Sequence, residues 1–557
     1  MNIDEVRRRL WEQSQAHRQH RESSLPLFPT NPYGGRIRNL MDLLHNPTWI
    51  AAACDRVMKR SRGKAAGVDG VTAHRFAQSL EFRLEQLRLE LKRGTYRPLP
   101  LRRVEIPKAN GKIRQLGIPC RRDKIVQEAI RMALEPIFEV EFHGSSYGFR
   151  PNRSAHHAVA RCRYLALTGF TWVIEGDVKA CFDEISHKAI LRCIKEKVID
   201  NKFLALIQLL LKAGVEINGV VHPTTKGVPQ GGVVSPLLAN IVLNKLDWFI
   251  HSKGFHGKDS NRRWARGLSN VRFSRYADDW CVCLTRTTRR QAERLRDEIR
   301  DFLRKVCGLE LSAEKTRITH VRDGYDFLGF NIQVGVGRSG RLVPRLRVGR
   351  KAITRIQARL GEVLRYCPMS VSISVRLDDA SAAIRGWSNY FKIAHNFPKV
   401  AHRLDHLAYW IAAKAICQKE DISTAQCLRQ HVFHNTIGVH EDHTLVRFQD
   451  TDSTFYYPAP EPYQPGCSQP YPEDEDWEAS FVYPDYPRPG SGDLKWKALV
   501  RDGFQCRHCA VAVTSKTSQA DHIEPVNRFA NLAMANDLNN IQTLCLRCHK
   551  LKTKGDI

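Results

Sequence analysis

The chain is organised around the stretch Tyr276-Ala277-Asp278-Asp279, which separates two short runs with the alternating apolar pattern of β-strands, residues 271–275 and 280–284. The pattern predicts a hairpin with Ala277 and Asp278 at its tip. Two adjacent carboxylates at a hairpin tip repel each other unless a cation lies nearby. Mg²⁺ is held in proteins by one or two carboxylates together with substrate phosphates. The stretch therefore predicts a magnesium site, and the alternative is an ordinary solvated turn.

A metal site of this kind needs a further carboxylate from another part of the chain. Asp177 is the candidate, because it ends a strand-like run that begins with Trp172-Val173-Ile174. The chain continues from there towards a helix, and Asp183 lies on that path. We interpret Asp183 as a structural residue rather than as another metal ligand.

The charge of the chain indicates its class of partner. Lys and Arg number 87 against 58 Asp and Glu, so the formal charge is +29 and a large polyanion is the expected partner. No apolar run is long enough to span a membrane, and the charged residues 1–22 lack the pattern of a secretory signal. Most of the 16 cysteines stand singly in apolar segments, as reduced cysteines do. We therefore expect the bacterial cytoplasm or an organelle as the location, without secretion or a membrane partner.

A second hairpin is predicted for residues 102–119, which turn at Asn110-Gly111. This hairpin carries Lys108, Lys112 and Arg114 close together, and three cations on one hairpin suit a triphosphate. A solvated basic edge strand is the alternative that the sequence leaves open.

The segment 338–365 is strongly basic and contains a single acid, Glu362. Its cations are Arg338, Arg341, Arg345, Arg347, Arg350, Lys351, Arg355, Arg359 and Arg365. A solvated helix face does not need this excess, so the segment predicts a helix that lies along a nucleic-acid backbone. Residues 448–487 have the opposite character, with nine Asp or Glu, no Lys or Arg and many Pro, which predicts a linker or an extended surface segment.

Three further stretches complete a series of motifs. They are Tyr147-Gly148-Phe149-Arg150, Lys226-Gly227-Val228-Pro229-Gln230-Gly231-Gly232 and Tyr325-Asp326-Phe327-Leu328-Gly329-Phe330. In this order, and together with the carboxylates, these motifs resemble those of group II intron-encoded reverse transcriptases, or maturases, over about residues 40–440. The resemblance implies an α+β multidomain protein with a right-hand polymerase, in which fingers and palm are followed by an α-helical thumb, the maturase X domain.

The resemblance also implies roles for individual residues. Asp177, Asp278 and Asp279 would be catalytic and would bind two Mg²⁺ ions, with the carbonyl of Val178 assisting. The positions that contact the incoming nucleotide are Lys108, Arg114, Val178, Phe182, Gln230 and Lys315. Among these, Phe182 matches the aromatic that closes the sugar pocket against a 2′-hydroxyl, and Lys315 matches a lysine that protonates the leaving pyrophosphate. The RNA-binding positions are Arg341, Arg345, Arg347, Arg350, Lys351 and Arg355.

The resemblance divides the chain into five parts. They are an N-terminal extension and basic arm (1–90), fingers and palm (91–335), a thumb with the X segment and a DNA-binding region (336–447), an acidic linker (448–492) and a nuclease (493–557). Trp387, Tyr390 and Phe391 fall in the X segment, and the sequence leaves open whether these aromatics contact nucleic acid or pack between helices.

Four cysteines near the C-terminus form two Cys-x-x-Cys pairs, Cys506 with Cys509 and Cys545 with Cys548. Their spacing predicts a structural Zn²⁺ site, and a module this small needs one because it buries little core. A zinc ribbon alone is one interpretation of this pattern.

The residues between and after these pairs resemble an HNH endonuclease, a ββα-metal nuclease. By that resemblance His522 is the general base, Asp521 and His549 bind the catalytic divalent metal, and Asn540 orients the loop that carries His522. The presence of all four residues favours the nuclease over the zinc ribbon.

Taken over the whole chain, the resemblance implies an RNA-directed DNA polymerase that is also a splicing maturase and a site-specific DNA endonuclease, acting in intron mobility by target-primed reverse transcription. The expected partners are group II intron RNA, target DNA and deoxynucleoside triphosphates. The expected cofactors are Mg²⁺ for the polymerase, a divalent metal for the nuclease and structural Zn²⁺. The alternatives are a retron- or CRISPR-associated reverse transcriptase and a maturase that only assists splicing.

Overall fold

The computed structural model describes residues 1–23, 37–60, 65–107, 113–256, 266–337, 342–433, 436–440 and 442–453, and further on 498–499, 501–502, 505–511, 513, 518–524 and 540–554. The chain forms two units, one built from Met1–Ser453 and one that contains the described residues from 498 onwards. Several features predicted from the sequence lie outside the described residues: Lys108, the turn at Asn110-Gly111, Arg338, Arg341 and nearly all of the segment 448–492.

The helices of the first unit are α1 (Ile3–Ser23), α2 (Leu40–Leu44), α3 (Pro47–Arg60), α4 (Ala73–Ala77), α5 (Leu80–Arg93), α6 (Arg121–Glu139), α7 (Ala155–Leu167), α8 (Cys181–Glu184), α9 (His187–Lys195), α10 (Asn201–Leu211), α11 (Ser235–Ser252), α12 (Arg289–Phe302), α13 (Arg350–Leu360), α14 (Ile373–Phe391), α15 (Phe397–Glu420) and α16 (Thr424–Gln430). Short π-helical turns extend α12 and α13, at Leu303–Cys307 and Gly361–Arg365. Within the part of the chain that the structure describes, no helix combines the length and the apolar character that crossing a bilayer requires.

The strands of the first unit are β1 (Leu101–Pro107), β2 (Ile113–Ile118), β3 (Phe170–Asp177), β4 (Val215–Ile217), β5 (Val220–His222), β6 (Asn270–Tyr276), β7 (Asp279–Thr285), β8 (Arg317–His320), β9 (Tyr325–Phe327), β10 (Phe330–Val336), β11 (Leu342–Val348), β12 (Val432–Phe433) and β13 (Thr436–Ile437). One sheet has the order β2-β1-β4-β5, and β1 and β2 form the predicted second hairpin, with Ile106 opposite Arg114. A three-stranded sheet has the order β11-β10-β9. The domain boundary that the sequence analysis sets between residues 335 and 336 falls inside β10.

The central sheet has the order β6-β7-β3-β8, and every neighbouring pair is antiparallel. Strand β6 ends at Tyr276 and β7 begins at Asp279, so Ala277 and Asp278 form the turn that the sequence predicts. Strand β3 ends at Asp177, again as predicted. The apolar side chains of β3, β6 and β7 are buried in the same core as helices α6, α9 and α11. The central sheet is therefore the rigid element from which the turn projects.

Helix α6 is buried on nearly every side, and its charged residues are buried with it. Glu128 is fully buried and accepts hydrogen bonds from Arg131 at 2.8 Å and from Arg60 of α3 at 3.4 Å. Glu135 of α6 pairs with Arg7 of α1 at 2.6 Å. A buried charge is costly without a partner, so these pairs fix the positions of α1 and α3 against α6.

The turn of the central hairpin is held from within the protein by Arg275. The guanidinium makes a bidentate ion pair with Asp247 of α11, at 2.7 and 2.6 Å, and both side chains are almost completely buried. The same group donates to the carbonyl of Ala277 at 2.8 Å, to Asn240 at 2.9 Å and to the hydroxyl of Ser146 at 2.8 Å. One side chain therefore connects the turn, helix α11 and the segment before α7.

The aromatic residues of the X-like segment lie on α14 and pack inside the protein. The indole of Trp387 donates to the carbonyl of Ala352 at 3.3 Å, and the hydroxyl of Tyr390 donates to the carbonyl of Leu328 at 2.9 Å. Phe391 is buried. Of the two alternatives that the sequence leaves open, packing between elements therefore describes these three residues.

The described part of the second unit contains strands β14 (Ser518–His522) and β15 (Ile541–Cys545), followed by helix α17 (Leu546–Lys554). The two strands are antiparallel, with Ser518 opposite Cys545 and His522 opposite Ile541. Its small apolar core contains Leu499, Val513 and Leu544 together with two of the cysteines. Among the described residues of this unit the apolar core is small, and a small core gives little stability without a link such as a bound metal.

We expect Arg275→Met to lower the free energy of unfolding by about 3–5 kcal/mol, because it leaves the buried Asp247 carboxylate without its partner. The measurement is urea unfolding of the full chain followed by tryptophan fluorescence, since Trp280 lies in the same sheet. Arg289→Ala is the control, because it removes only an exposed pair with Glu293, and such pairs contribute about 0.3–0.5 kcal/mol. Equal losses in the two variants would contradict the role given to Arg275.

Candidate active sites

Three carboxylates meet at one end of the central sheet, although they come from distant parts of the chain. Asp177 is the last residue of β3 and Asp279 the first of β7, and the two lie directly opposite each other in the antiparallel pair. Asp278 occupies the turn immediately before β7. The structure thus brings together the three aspartates that the sequence analysis groups as one site.

Two glycines make this arrangement sterically possible. A Cβ atom at Gly176 would lie 2.0 Å from the ring of Trp280, and one at Gly148 would lie 2.2 Å from the backbone nitrogen of Ala277. Ala277 itself has a φ of 59°, a left-handed conformation that costs a non-glycine residue roughly 1–2 kcal/mol. The hydrogen bond from Arg275 to its carbonyl helps to hold it there.

Burial and mutual repulsion raise the pKa of the carboxyl groups at the turn. The pKa of Asp279 is raised to about 6, first by desolvation of the carboxyl group among the surrounding protein atoms and then by the charges of Asp278 and Asp177, although the residue is exposed at the surface. Burial also raises the pKa of Asp278. Lys315 offsets part of this charge, since its Nζ lies 2.8 Å from Asp177 Oδ2. A crowded set of carboxylate oxygens is stabilised by a divalent cation, and oxygen ligands fit Mg²⁺.

Backbone hydrogen bonds fix the chain where it leaves β3. The carbonyl of Asp177 accepts the N–H of Ser312 at 2.9 Å, and the N–H of Lys179 donates to the carbonyl of Glu310, also at 2.9 Å. Val178 lies between these two bonds and is buried. The backbone at the position predicted to assist metal binding is therefore held from both sides.

Of the residues predicted to contact the nucleotide, Arg114 and Gln230 lie together. The Nε of Arg114 donates to the side-chain oxygen of Gln230 at 3.0 Å, and the charge of Arg114 offsets a small part of the rise in the pKa of Asp278. The side-chain nitrogen of Gln230 in turn donates to Asp183 Oδ2 at 2.9 Å. Asp183, which the sequence analysis interprets as structural, is therefore bonded to a candidate nucleotide-contacting residue.

Phe182 lies beside a second aromatic residue that the sequence analysis left without a role. The ring of Phe149 meets that of Phe182 edge to face, with 6.4 Å between the ring centres, and its other neighbour is Tyr276 at 6.5 Å. Phe149 has a φ of 57° and is 55% exposed, although it is a large apolar residue. An exposed aromatic in a strained backbone conformation indicates a functional position. Its only sequence signal is its place in the motif Tyr147-Gly148-Phe149-Arg150.

The predicted RNA-binding cations form a surface on β11 and α13. Arg345 and Arg347 alternate along β11 and are bonded to the carbonyl of Val336 and the side chain of Gln333. The exposed members on α13 are Arg350, Lys351 and Arg355. Among the residues that the structure describes, no acid forms an ion pair with any of these five cations. The surface therefore keeps its positive charge.

In the second unit, the sulfur atoms of the four predicted zinc ligands converge. Those of Cys506, Cys509, Cys545 and Cys548 all lie within 4.8 Å of one another. Four thiolates in such a cluster suit Zn²⁺, whose structural sites are commonly tetrahedral with cysteine ligands. The residues present therefore fit the predicted zinc site.

The candidate nuclease site lies on the hairpin of the second unit and on α17. Asp521 of β14 and His549 of α17 come close, with 3.9 Å between the carboxylate and Nε2. Lys552, which the sequence analysis does not mention, places its Nζ 2.6 Å from the other carboxylate oxygen. The side chain of Gln542 donates to that same oxygen at 3.0 Å. Spacing along α17 is the only sequence signal for Lys552, because it lies one turn beyond His549.

Asn540 holds the chain that follows His522. Its side-chain oxygen accepts the N–H of Glu524 at 2.8 Å, and its side-chain nitrogen donates to the carbonyl of Glu524 at 3.1 Å. Its own carbonyl accepts the N–H of Ile523 at 2.7 Å. These three bonds hold Ile523 and Glu524, the two residues that directly follow His522.

Comparisons with known proteins define the class to which these two sites belong. Residues 106–332 match the family "Reverse transcriptase (RNA-dependent DNA polymerase)", and residues 506–555 match the family "HNH endonuclease". The chain is thus a reverse transcriptase joined to an HNH endonuclease, in a multidomain fold of helices and strands.

Curated relatives identify the family more closely. The chain is 42% identical to "Protein YkfC" of Escherichia coli strain K12, over 53% of this chain and 83% of that protein. It is 31% identical to "Group II intron-encoded protein LtrA" of Lactococcus lactis subsp. cremoris, over 62% of this chain and 69% of that protein. It is 26% identical to "Nuclear intron maturase 1, mitochondrial" of Arabidopsis thaliana, over 46% of this chain and 48% of that protein. The chain belongs to the family of group II intron-encoded proteins, which confirms the resemblance.

We expect Cys548→Ser to release Zn²⁺ and to unfold the second unit, because metal binding there supplies folding energy. Zinc content per chain and sensitivity to limited proteolysis are the two measurements. Cys367→Ser is the control, since Cys367 is a partly exposed cysteine of the first unit. A variant at Cys548 that keeps its zinc and its resistance to proteolysis would show that the cluster is not a zinc site.

Proposed function

We propose that the first unit copies RNA into DNA at Asp177, Asp278 and Asp279. The observation that carries this proposal is the meeting of the three carboxylates beside Lys315 at the end of the central sheet. Asp278 lies in a turn held by a buried ion pair and Asp279 directly follows it, so their positions are set before any substrate binds. Preorganised charge is the main contribution that a protein makes to phosphoryl transfer.

Asp177, Asp278 and Asp279 are the residues that would hold two Mg²⁺ ions, with the carbonyl of Val178 as a further oxygen ligand. Bound divalent ions supply positive charge that activates the primer 3′-oxygen and stabilises the leaving pyrophosphate. The contribution of the chain is the register of β3 and β7, which places Asp177 opposite Asp279. Burial raises the pKa of Asp279, and so does repulsion from Asp278 and Asp177, which a bound cation would relieve.

The remaining residues position the nucleotide and supply a proton. Arg114 and Gln230 hold the triphosphate by charge-assisted and neutral hydrogen bonds, and Lys108 acts with them. Phe182 forms the wall beside the sugar and excludes a 2′-hydroxyl. The hydrogen bond to Asp177 raises the pKa of Lys315, so its Nζ stays protonated and can give a proton to the leaving pyrophosphate.

Asp278→Asn should lower the rate of primer extension on an RNA template by more than about 100-fold, because it removes one ligand charge from the proposed metal site. RNA affinity should stay close to that of the natural protein, since the basic surface on β11 and α13 is unchanged. Asp326→Asn is the control, because it changes an exposed acid on the neighbouring β9. Near-normal extension by the Asp278 variant would contradict the assignment of the site.

We assign binding of the group II intron RNA, and with it the splicing role, to the cationic surface of β11 and α13. The supporting observation is five cations that have no acidic partner among the described residues, on adjacent elements of one unit. Such a surface contacts phosphates without reading sequence.

The triple variant Arg350→Gln, Lys351→Gln, Arg355→Gln should reduce the slope of log affinity against log salt by roughly 2–3, since each lost phosphate contact removes roughly 0.7–0.9. Affinity for the intron RNA is measured at four or more salt concentrations. The control neutralises three exposed arginines of α12, Arg289, Arg290 and Arg294, and should leave the slope unchanged. If both triple variants flatten the slope equally, the RNA surface does not lie on α13.

We further propose that the second unit nicks the DNA target and that the new 3′ end primes the copy. His522 acts as general base, Asp521 and His549 hold the divalent metal, and Asn540 orients the loop, supported by the bonds described above. We propose the bacterial cytoplasm or an organelle as the compartment, because the relatives include bacterial proteins and one whose name includes "mitochondrial".

His522→Ala should abolish nicking of a target duplex while zinc content and primer extension stay unchanged, because only the base that activates water is lost. His508→Ala is the control, since His508 is an exposed histidine between two of the cysteines. The assay uses the RNA–protein complex for nicking and an annealed primer for extension. Normal nicking by the His522 variant, or loss of extension along with nicking, would contradict this division of roles.

A further inference from the structure

The side chain of Gln230 is held at both ends. Its oxygen accepts a hydrogen bond from Arg114 Nε at 3.0 Å, and its nitrogen donates to Asp183 Oδ2 at 2.9 Å. Asp183 and Arg114 are both exposed, so the chain of hydrogen bonds faces the surface rather than the core. The result is a continuous path from a carboxylate, through an amide, to a guanidinium.

The chemistry of the three groups permits only one orientation of the amide. A carboxylate can only accept hydrogen bonds and a guanidinium can only donate them. The carboxylate of Asp183 therefore accepts a hydrogen bond from the side-chain nitrogen of Gln230. The side-chain oxygen of Gln230 must then face Arg114 and accept from it. If Asp183 were removed, nothing in this chain of bonds would prevent the amide from turning its nitrogen towards the guanidinium, where two donors would meet.

The backbone around these groups is also fixed. The carbonyl of Gln230 accepts the N–H of Gly117 in β2 at 3.0 Å, and the N–H of Val228 donates to the carbonyl of Phe182 at 2.6 Å. Gly227 has a φ of 85° and packs so closely that a Cβ there would lie 2.6 Å from the carbonyl oxygen of Asp183. The segments that carry Asp183, Gln230 and Arg114 are thus joined by main-chain contacts, and the side chains complete a preformed frame.

We propose that Asp183 is a positioning residue of the polymerase, which sets the Gln230 amide and through it the Arg114 guanidinium for the triphosphate of the incoming nucleotide. Asp183 acts through Gln230 and does not contact the reacting atoms. This inference rests on the proposed polymerase function. Arg114 donates to Gln230 through Nε, so the two terminal nitrogens of the guanidinium can donate hydrogen bonds to phosphate oxygens.

The test measures KM for dTTP and kcat on a poly(rA) template primed with oligo(dT), using the full chain. Asp183→Ala should raise KM at least about tenfold while kcat stays within about twofold, since a hydrogen bond to a charged group is lost away from the chemistry. Asp183→Asn keeps an acceptor oxygen, so its KM should lie between that of the natural protein and that of the alanine variant. Glu184→Ala is the control, because the neighbouring Glu184 pairs with Lys226 instead, and its KM should not change.

A double variant separates positioning from a merely structural role. Gln230→Glu alone places two carboxylates face to face and should raise KM. Asp183→Asn combined with Gln230→Glu reverses the direction of the bond, since the amide introduced at position 183 donates to the carboxylate introduced at position 230. That carboxylate still accepts from Arg114, so the KM of the double variant should be lower than that of Gln230→Glu alone.

Two results would overturn the proposal. One is an unchanged KM in Asp183→Ala, and the other is a double variant no better than Gln230→Glu. A fall in kcat and in melting temperature with KM unchanged would assign Asp183 a structural role instead. Failure of the natural protein to extend the primer at all would count against the proposed polymerase function rather than against this inference.

Discussion

The buried ion pair between Arg275 and Asp247 is the interaction on which the polymerase site depends. The same guanidinium of Arg275 donates to the carbonyl of Ala277 in the turn and to the hydroxyl of Ser146 in the segment before α7. The backbone of Arg275 adds a bond from its own N–H to Ser145 and accepts one from Tyr147. The turn with Asp278 and the segment with the exposed Phe149 are therefore anchored to one residue. Because a buried charge is costly without its partner, the hairpin and α11 stabilise each other.

This anchoring explains how the chain holds three carboxylates close together. Burial first, and then repulsion among them, raises the pKa of Asp278 and Asp279, which means that their charged forms are disfavoured where they stand. A flexible loop would separate them. Here two features prevent that separation. The antiparallel pairing of β3 and β7 holds Asp177 opposite Asp279, and the left-handed conformation of Ala277 fixes the turn. The stability of the sheet is thus used to maintain an arrangement that is locally unfavourable, as is common at functional sites.

The sequence predicts the parts of this site that depend on local pattern. Apolar alternation on both sides of the Asp278 turn predicts the hairpin, and a run of apolar residues ending at Asp177 predicts the strand that pairs with it. It does not predict that Asp183 bonds to Gln230, because the two lie 47 residues apart and a polar pair leaves no periodic signal. For the same reason it gives Phe149 no role. A contact made by one side chain depends on the tertiary fold, which local pattern does not specify.

The two sites share a feature that the sequence does not show. In each, a lysine ammonium lies within hydrogen-bond distance of a carboxylate proposed to bind metal: Lys315 beside Asp177 at 2.8 Å and Lys552 beside Asp521 at 2.6 Å. An ammonium group offsets the charge of a neighbouring carboxylate, and its flexible stem lets it do so without fixing the geometry. In both units, then, the protein itself places a positive charge beside a carboxylate that is proposed to bind metal.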